Sequence, residues 1–192
     1  MENKIVFIVG MAGSGKSVIS DELVRKGFAY VRFGQVVMDE IKKRGLAVNE
    51  ADENLVRVEL RQKFGMGAMA ILNIPKFDKL LESSNVVGDG LYSWTEYKIL
   101  KEKYGSNMHV LAVFAPPELR YERLAGRART ATADPDNRFR ATPKEDSEKR
   151  DYSEIENVEK GGPIAMADFT IVNTGTLRDA KKQLGKFLKQ IK

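Results

Sequence analysis

The chain has 192 residues, of which 42% are hydrophobic and 31% charged, and it contains no cysteine. This composition is ordinary for one globular domain, and it excludes a disulfide scaffold, a thiolate metal site and a cysteine nucleophile. The formal net charge of +5 suits an enzyme with polyanionic substrates. Because basic residues do not alternate with stacking aromatic residues, we expect no nucleic-acid partner. No apolar run reaches the roughly 18 residues of a membrane helix, so we expect a cytoplasmic protein without a membrane partner.

Five short apolar runs predict the strands of a parallel sheet that is covered on both faces. They lie at residues 4–9, 28–33, 85–88, 108–114 and 168–172. Helical patterns lie between and after them, at residues 16–26, 35–44, 53–64, 95–104, 117–128 and 176–191. This alternation predicts an α/β fold, a three-layer P-loop NTPase domain with a five-stranded parallel sheet. Ligands of such sheets bind beyond the carboxyl ends of the strands.

Two segments interrupt the alternation within this single domain, which spans residues 1–192. We expect residues 45–82 to form a helical insertion that binds the acceptor. The polar segment 129–150, which contains Pro135 and Pro143, is predicted to form a lid over the site.

The turn after the first strand carries the pattern G-x-x-x-x-G-K-[ST], which predicts a phosphate-binding loop. Its glycines allow backbone N–H groups to face an anion, and the next helix adds its positive end. Lys16 is expected to reach the β- and γ-phosphates as a catalytic residue, and Ser17 to bind Mg²⁺. The alternative is a glycine-rich turn with an incidental lysine, which the flanking strand and helix make less favourable. The predicted nucleotide-binding residues are Gly10, Met11, Ala12, Gly13, Ser14, Gly15, Lys16 and Ser17.

Asp89 ends the third apolar run, where a carboxylate can hold the metal through water. The alternative is a turn aspartate, because Asp89-Gly90 is also a good turn pair. No cluster of His, Asp or Glu has the spacing of a protein metal site, so the expected metal is Mg²⁺ brought with ATP or another nucleoside triphosphate. The single histidine, His109, is interpreted as a packing residue.

Arg120, Arg123 and Arg127 are spaced i, i+3, i+7 and share one helical stripe. We expect Arg123 and Arg127 to be catalytic residues that clamp the triphosphate, with Arg123 also binding the nucleotide. For Arg120, a solvated surface position beside glutamates is at least as good an interpretation. Arg150 is the further catalytic candidate, placed to close over the transferring phosphate.

These motifs resemble those of the nucleotide kinases of the adenylate kinase and dephospho-CoA kinase group. The resemblance covers nearly the whole chain, and it is strongest to the adenylate-kinase-related proteins of archaea and some bacteria. The residues that carry it are 10–17, 33–37, 89–90, Arg123-x-x-x-Arg127 and 167–175. The resemblance implies that Asn173, Thr174 and Gly175 line the pocket of the nucleotide base.

The acceptor half of the motif set departs from this group. The group has Gly-Asp-x-x-Arg where this chain has residues 34–38, GQVVM, so the arginine for the acceptor phosphate is missing. A second arginine after Asp89-Gly90 and an aspartate at the end of the second strand are missing too. The acceptor-binding candidates are Arg32, Gly34, Arg61, Asp89 and Tyr92. As alternatives, Arg57 and Arg61 pair with surface glutamates, and Trp94 anchors the following helix in the core.

The sequence therefore predicts a kinase that moves the γ-phosphoryl group to a small nucleotide-like acceptor, with a nucleoside monophosphate as the first candidate. Dephospho-CoA, which would be attacked through its hydroxyl group, is the alternative acceptor. A nucleotide-dependent switch with slow hydrolysis and a protein partner is the further alternative. We expect a monomer or a homodimer.

Overall fold

Five apolar strands pair side by side in one parallel sheet of the computed structural model, which describes residues 3–126 and 142–191. The sheet order is β2-β3-β1-β4-β5. The strands are β1 (Ile5–Val9), β2 (Ala29–Arg32), β3 (Val86–Asp89), β4 (Met108–Phe114) and β5 (Phe169–Val172). Each strand lies within one or two residues of a predicted run, and the predicted fold class is confirmed.

The central strand β1 is buried on both faces because its successive side chains point into two different cores. Phe7 belongs to the first core, where its ring packs edge-on against Phe33 and Phe77. Ile8 belongs to the second core, together with Leu184. This burial on both faces explains why the run reads as continuously apolar rather than alternating.

Helices cover both faces of the sheet and make the outer two layers. The first core is covered by residues of α2, α3, α4 and α5, and the second by residues of α1 and α9. The helices are α1 (Lys16–Arg25), α2 (Gln35–Arg44), α3 (Glu50–Phe64), α4 (Ala68–Leu81), α5 (Trp94–Tyr104), α6 (Pro117–Gly126), α7 (Lys144–Glu156), α8 (Gly161–Ala165) and α9 (Leu177–Gln190).

The insertion between β2 and β3 consists of the helices α2, α3 and α4. The extra helix that the sequence predicts in this part of the chain is therefore present, although α4 was not delimited from the pattern. One reason is Pro75, which lies inside α4, because proline is unfavourable in a helix interior and so argues against a helix in the sequence. The acceptor-binding role of residues 45–82 stays a prediction.

The predicted lid, residues 129–150, lies partly outside the described residues. Its last part is helical, because α7 begins at Lys144. Neither α7 nor α8 was predicted from the sequence. The charged α7 has a weak apolar face, so the periodicity of its sequence gave no clear signal. In the described ranges, no helix is long and apolar enough to cross a membrane.

Candidate nucleotide and acceptor site

The turn between β1 and α1 has a backbone that requires its glycines. Gly10, Gly13 and Gly15 have φ angles of +140°, +77° and +101°, which other residues rarely adopt. A Cβ atom at Gly13 would lie 2.6 Å from the carbonyl oxygen of Arg120, so no side chain fits there. The sequence pattern of a phosphate-binding loop therefore coincides with a tightly constrained turn at the start of a helix.

Lys16 turns its ammonium group over this loop. Its Nζ atom donates to the carbonyl oxygens of Gly10 at 2.9 Å and Met11 at 3.0 Å. Burial, with a smaller contribution from Lys160, lowers the pKa of Lys16 to about 7, although Asp89 acts in the opposite direction. A poorly solvated cation at the head of a helix favours a polyanion such as a phosphate chain.

Arg120 braces the loop from behind. Its side chain is only 5% exposed and donates to the carbonyl oxygen of Ala12 at 3.1 Å. It also makes a two-point ion pair with Asp151 of α7, with distances of 3.1 and 2.6 Å, and Tyr121 donates to the same carboxylate at 2.9 Å. The interpretation of Arg120 as a solvated surface residue is therefore wrong, because Asp151 supplies a buried partner that the sequence did not reveal.

Asn173 ties the end of β5 to the same loop. Its side-chain amide donates to the carbonyl oxygen of Ser14 at 2.8 Å, and its backbone carbonyl accepts a hydrogen bond from Arg123 at 2.9 Å. Arg123 of α6 is therefore held beside β5. Thr174 and Gly175 follow as exposed residues. These contacts group Arg123 with the residues predicted to line the base pocket, and those roles stay predictions.

A cavity of about 260 Å³ opens beside the loop at the carboxyl edge of the sheet. Ala12, Gly13, Lys16 and Ser17 line it together with the ends of β2 and β3 and one side of α3. Its other predicted site residues are Arg32, Gly34, Arg61, Asp89, Tyr92 and Arg150. The structure thus brings all five predicted acceptor-binding residues together with two of the four predicted catalytic residues, Lys16 and Arg150.

Other predicted residues lie elsewhere. Gly10, Met11, Ser14 and Gly15 shape the loop without lining the cavity, and Arg123 does not line it either. Arg127 lies outside the described residues, so its catalytic role stays a prediction. Arg57, for which a surface pairing was an open alternative, does line the cavity, and it also lies 3.8 Å from Glu53.

Asp89 stands at the carboxyl end of β3 and shares the cavity with Ser17. Its Oδ2 atom accepts hydrogen bonds from the hydroxyl groups of Tyr30 at 3.0 Å and Ser20 at 3.3 Å. A serine hydroxyl and a carboxylate are oxygen ligands of the kind that Mg²⁺ takes. Within residues 3–126 and 142–191, no cluster of three or more His, Asp or Glu side chains could hold a metal by itself. The Ser17 hydroxyl and the Asp89 carboxylate therefore fit a metal whose other ligands include the oxygens of a bound phosphate.

Two charged residues that the sequence did not indicate, Glu154 of α7 and Lys160 after it, contact the predicted catalytic residue Arg150 or its partner. The Nε atom of Arg150 donates to Glu154 at 2.9 Å, and the same carboxylate forms an ion pair with Lys160. Lys160 is 1% exposed, and its ammonium group lies 4.3 Å from the ring centroid of Tyr92. Burial alone would raise the pKa of Glu154, but Lys160 and Arg150 lower it to about 2. A permanently charged carboxylate thus orients Arg150 at the cavity.

Glu159, the residue before Lys160, has a left-handed φ of +54°, which is unusual for a residue other than glycine. This turn carries the chain from α7 to the buried Lys160, whose backbone N–H donates to the carbonyl oxygen of Glu154 at 3.2 Å. Glu154 and Lys160 are six residues apart, a spacing with no helical or strand meaning, so no pattern in the sequence indicated the pair.

Two aromatic residues and the histidine are packing residues. Trp94 stacks on Tyr97 with ring centroids 4.9 Å apart and packs against the first core, which favours its interpretation as an anchor of α5. His109 packs edge-on against Phe187. Burial lowers the pKa of His109, so it stays neutral near pH 7.

Residues 9–141 match a protein family model described as an AAA domain. The chain is also 37% identical over 189 residues to the UPF0200 protein TK1334 of Thermococcus kodakarensis, with 97% of each chain covered. The chain therefore belongs to the AAA-domain family and to the UPF0200 proteins. Because the alignment with TK1334 covers 97% of each chain, the similarity extends well beyond one motif.

Two solved structures share the fold at low sequence identity. The structure of TT1252 from Thermus thermophilus superposes with a TM-score of 0.66 at 19% identity and covers all of both chains. Shikimate kinase from Bacteroides thetaiotaomicron gives a TM-score of 0.58 at 12% identity and covers 98% of each chain. These superpositions confirm the predicted P-loop kinase fold.

Proposed function

We propose that this protein is a P-loop phosphotransferase, which moves the γ-phosphoryl group of ATP or another nucleoside triphosphate to a small anionic, nucleotide-like acceptor. One observation carries the proposal. A single cavity is lined by Lys16 and Ser17 of the constrained loop and also by Arg57 and Arg61 of α3. Two anionic partners can therefore meet in one space, as transfer between them requires.

Within this proposal, the chain acts mainly by positioning and electrostatics. Lys16 and the amide groups of the loop hold the β- and γ-phosphates. Arg150, oriented by Glu154, neutralises the charge that develops on the transferring group. Arg123 and Arg127 remain candidates for the same task, and Asn173, Thr174 and Gly175 for contacts with the base.

Magnesium fits the donor set of the cavity, where the Ser17 hydroxyl and the Asp89 carboxylate, the latter through water, would hold it. When bound, Mg²⁺ supplies positive charge to the phosphate oxygens. The chain's own contribution is to keep both oxygen donors beside Lys16.

One fold neighbour supports a small acceptor without identifying it. The fold neighbour from Bacteroides is named for a small-molecule substrate, shikimate. By analogy, a cavity of about 260 Å³ suits an acceptor of modest size. Nucleoside monophosphates and dephospho-CoA are the first compounds to test, because the resemblance to their kinases covers most of the chain.

The decisive experiment measures transfer of labelled phosphate from ATP to this acceptor panel by the wild-type protein and by Lys16→Ala. We expect the variant to lose at least about 100-fold in activity or ATP affinity, because the ammonium group contacts the phosphates directly. Lys149→Ala is the control, since Lys149 is 80% exposed on α7. Equal activity and binding in Lys16→Ala would remove the basis of the proposal. ATP-dependent capture of a stoichiometric protein partner without transfer would favour a switch instead.

A further inference from the structure

The charged side chains of the cavity form two separate groups. The phosphate end comprises Lys16, Arg32, Asp89 and Arg150, and the α3 end comprises Glu53, Arg57 and Arg61. Lys16 begins α1, Asp89 ends β3 and Arg150 lies on α7, whereas the residues of the second group all lie on α3. The two groups therefore line the cavity from different elements. In agreement, charge effects on the pKa of Lys16 come first from Lys160 and Asp89, and those on the pKa of Arg61 from Glu96 and Arg57.

The α3 end is prepared for an anion. The Nε atom of Arg61 is buried and has no hydrogen-bond partner among the described residues. Such a donor is costly to leave unpaired, particularly on a charged group. Burial, as the largest effect, lowers the pKa of Arg61, and neighbouring Arg57 lowers it further. A bound anion would offset both effects.

Two carboxylates act on these arginines, and neither accepts a hydrogen bond from the Nε atom of Arg61. Glu53 lies 3.8 Å from Arg57. Glu96 is buried at the start of α5, and its Oε2 atom accepts hydrogen bonds from the backbone N–H groups of Tyr92 at 3.1 Å and Ser93 at 3.0 Å. It is therefore committed to capping α5 in a complete capping box. Burial raises the pKa of Glu96, which weakens it further as a counter-ion for Arg61.

Resting on the proposed phosphotransferase function, we infer that the acceptor presents a hydroxyl group at the phosphate end while a separate anionic group, a carboxylate or a phosphate monoester, binds Arg61 and Arg57. Both kinds of anion match the planar donor fork of arginine. The acceptor must be short enough to bridge the two ends of a cavity of about 260 Å³.

This arrangement disfavours a monophosphate that is attacked through its own phosphate. In that reaction the acceptor phosphate lies beside the γ-phosphate, at the phosphate end, and the arginines of α3 would have no anion to hold. The arginine that such kinases place in the motif after the second strand is also missing, as residues 34–38 read GQVVM. An acceptor whose anion binds at α3 and whose hydroxyl group is the nucleophile accounts for both the unpaired Arg61 and the missing arginine.

The inferred step is balanced without any further reactant. The hydroxyl oxygen of the acceptor attacks the γ-phosphorus, and the bond from that phosphorus to the β–γ bridging oxygen breaks. The nucleoside diphosphate leaves with the electron pair of the broken bond, and the hydroxyl proton passes to an oxygen of the transferred phosphoryl group. The product is a phosphate ester, whereas attack by a monophosphate would give a phosphoanhydride.

The first test reads the chemical nature of the product. The protein is incubated with ATP and Mg²⁺ and either nucleoside monophosphates, small hydroxycarboxylates or phosphate monoesters that bear a free hydroxyl. Phosphorus NMR then separates ester from anhydride products. We expect an ester product. Reaction of a hydroxycarboxylate would indicate that α3 binds a carboxylate, and reaction of a phosphate monoester at its hydroxyl would indicate that α3 binds a phosphate. Anhydride formed from a monophosphate would overturn the inference but leave the proposed phosphotransfer intact.

The second test probes the α3 end without turnover. The single tryptophan, Trp94, lies two residues from Glu96, whose charge acts on Arg61, and provides a fluorescence signal. With ADP and Mg²⁺ present, the protein is titrated with malate and with inorganic phosphate. We expect at least one of them to bind, and Arg61→Ala to weaken that binding roughly 10- to 100-fold, the range for hydrogen bonds to charged groups.

The matched control is Arg44→Ala, because Arg44 pairs with Glu40 and Glu59 and does not line this cavity. Lys16→Ala separates the two proposals, since it should abolish use of ATP yet leave anion binding at α3 unchanged. Binding that is equally strong in Arg61→Ala and the wild type, or no binding of either anion, would overturn the α3 site.

Discussion

The two ends of the cavity are built in different ways. The phosphate end depends on a continuous stretch of backbone, in which Gly10, Gly13 and Gly15 fix the turn. The α3 end depends on the side chains of one helix, Glu53, Arg57 and Arg61. A backbone site tolerates little change and binds a feature that all nucleoside triphosphates share. A site of side chains can change without rebuilding the fold, so under the proposed function we expect acceptor specificity to depend on the α3 end.

The largest effect should follow from breaking the brace behind the phosphate end. In Arg120→Ala, the Asp151 carboxylate is left buried without its cation and the Ala12 carbonyl loses a donor. We expect the free energy of unfolding to fall by about 3–5 kcal/mol, as for other broken buried pairs. Urea unfolding measures this loss.

The control for this prediction is Arg25→Ala. Arg25 pairs with Glu22, but its side chain is 59% exposed, so its removal should cost no more than about 1 kcal/mol. An equal loss in the two variants would contradict the view that α7 supports the loop through Arg120.

The next effect concerns pH and is confined to the phosphate end. Burial lowers the pKa of Lys16 to about 7, so the ammonium group of the free protein loses its proton as pH rises above that value. A bound triphosphate favours the protonated form and raises this pKa, so binding takes up a proton. ATP affinity should therefore fall by up to about tenfold per pH unit above pH 7.

Calorimetric titration in buffers of different ionisation enthalpy measures the proton uptake directly. Binding of malate or phosphate at the α3 end should lack this transition, because arginine stays protonated over the same range. ATP binding without proton uptake at alkaline pH would show that Lys16 is already charged in the free protein.

A smaller effect should come from Lys160→Met, which removes one cation from the Arg150–Glu154–Lys160 chain. Glu154 then loses one of its two cationic partners and holds Arg150 less firmly, so kcat should fall roughly tenfold while the KM for ATP changes little. Steady-state kinetics separates the two constants. Lys160→Arg, which restores the positive charge, should recover much of kcat; a general loss of folded protein would not be rescued in this way.

The smallest effect sharpens the description of the α3 end. Arg57 is 38% exposed and lies 3.8 Å from Glu53, so solvent screens its charge more than that of Arg61. Arg57→Ala should raise the KM of the acceptor only about threefold, clearly less than Arg61→Ala. Acceptor kinetics at fixed ATP gives the comparison, and a reversed order would make Arg57 the main anion-binding group.

Much of the fold was predictable because its signals are local. Buried parallel strands need continuous apolar runs, and β1 to β5 each have one. The capping box of Thr176 and Asp179 and a clear apolar face predicted helix α9. Helix α7 gave no such signal, because its buried contacts are made by the charged and polar residues Ser147 and Asp151.

The same contrast applies to the site. The sequence by itself determined the loop of residues 10–17, since a fixed spacing of glycines, lysine and serine within one turn specifies its geometry. Only the tertiary structure decided that Arg120 is a buried brace, that Lys160 acts on Arg150 through Glu154, and that the α3 arginines open onto the same cavity as Lys16. Ion pairs between residues 6 to 31 positions apart, and cavities between separate elements, depend on how helices pack, and no local pattern encodes that packing.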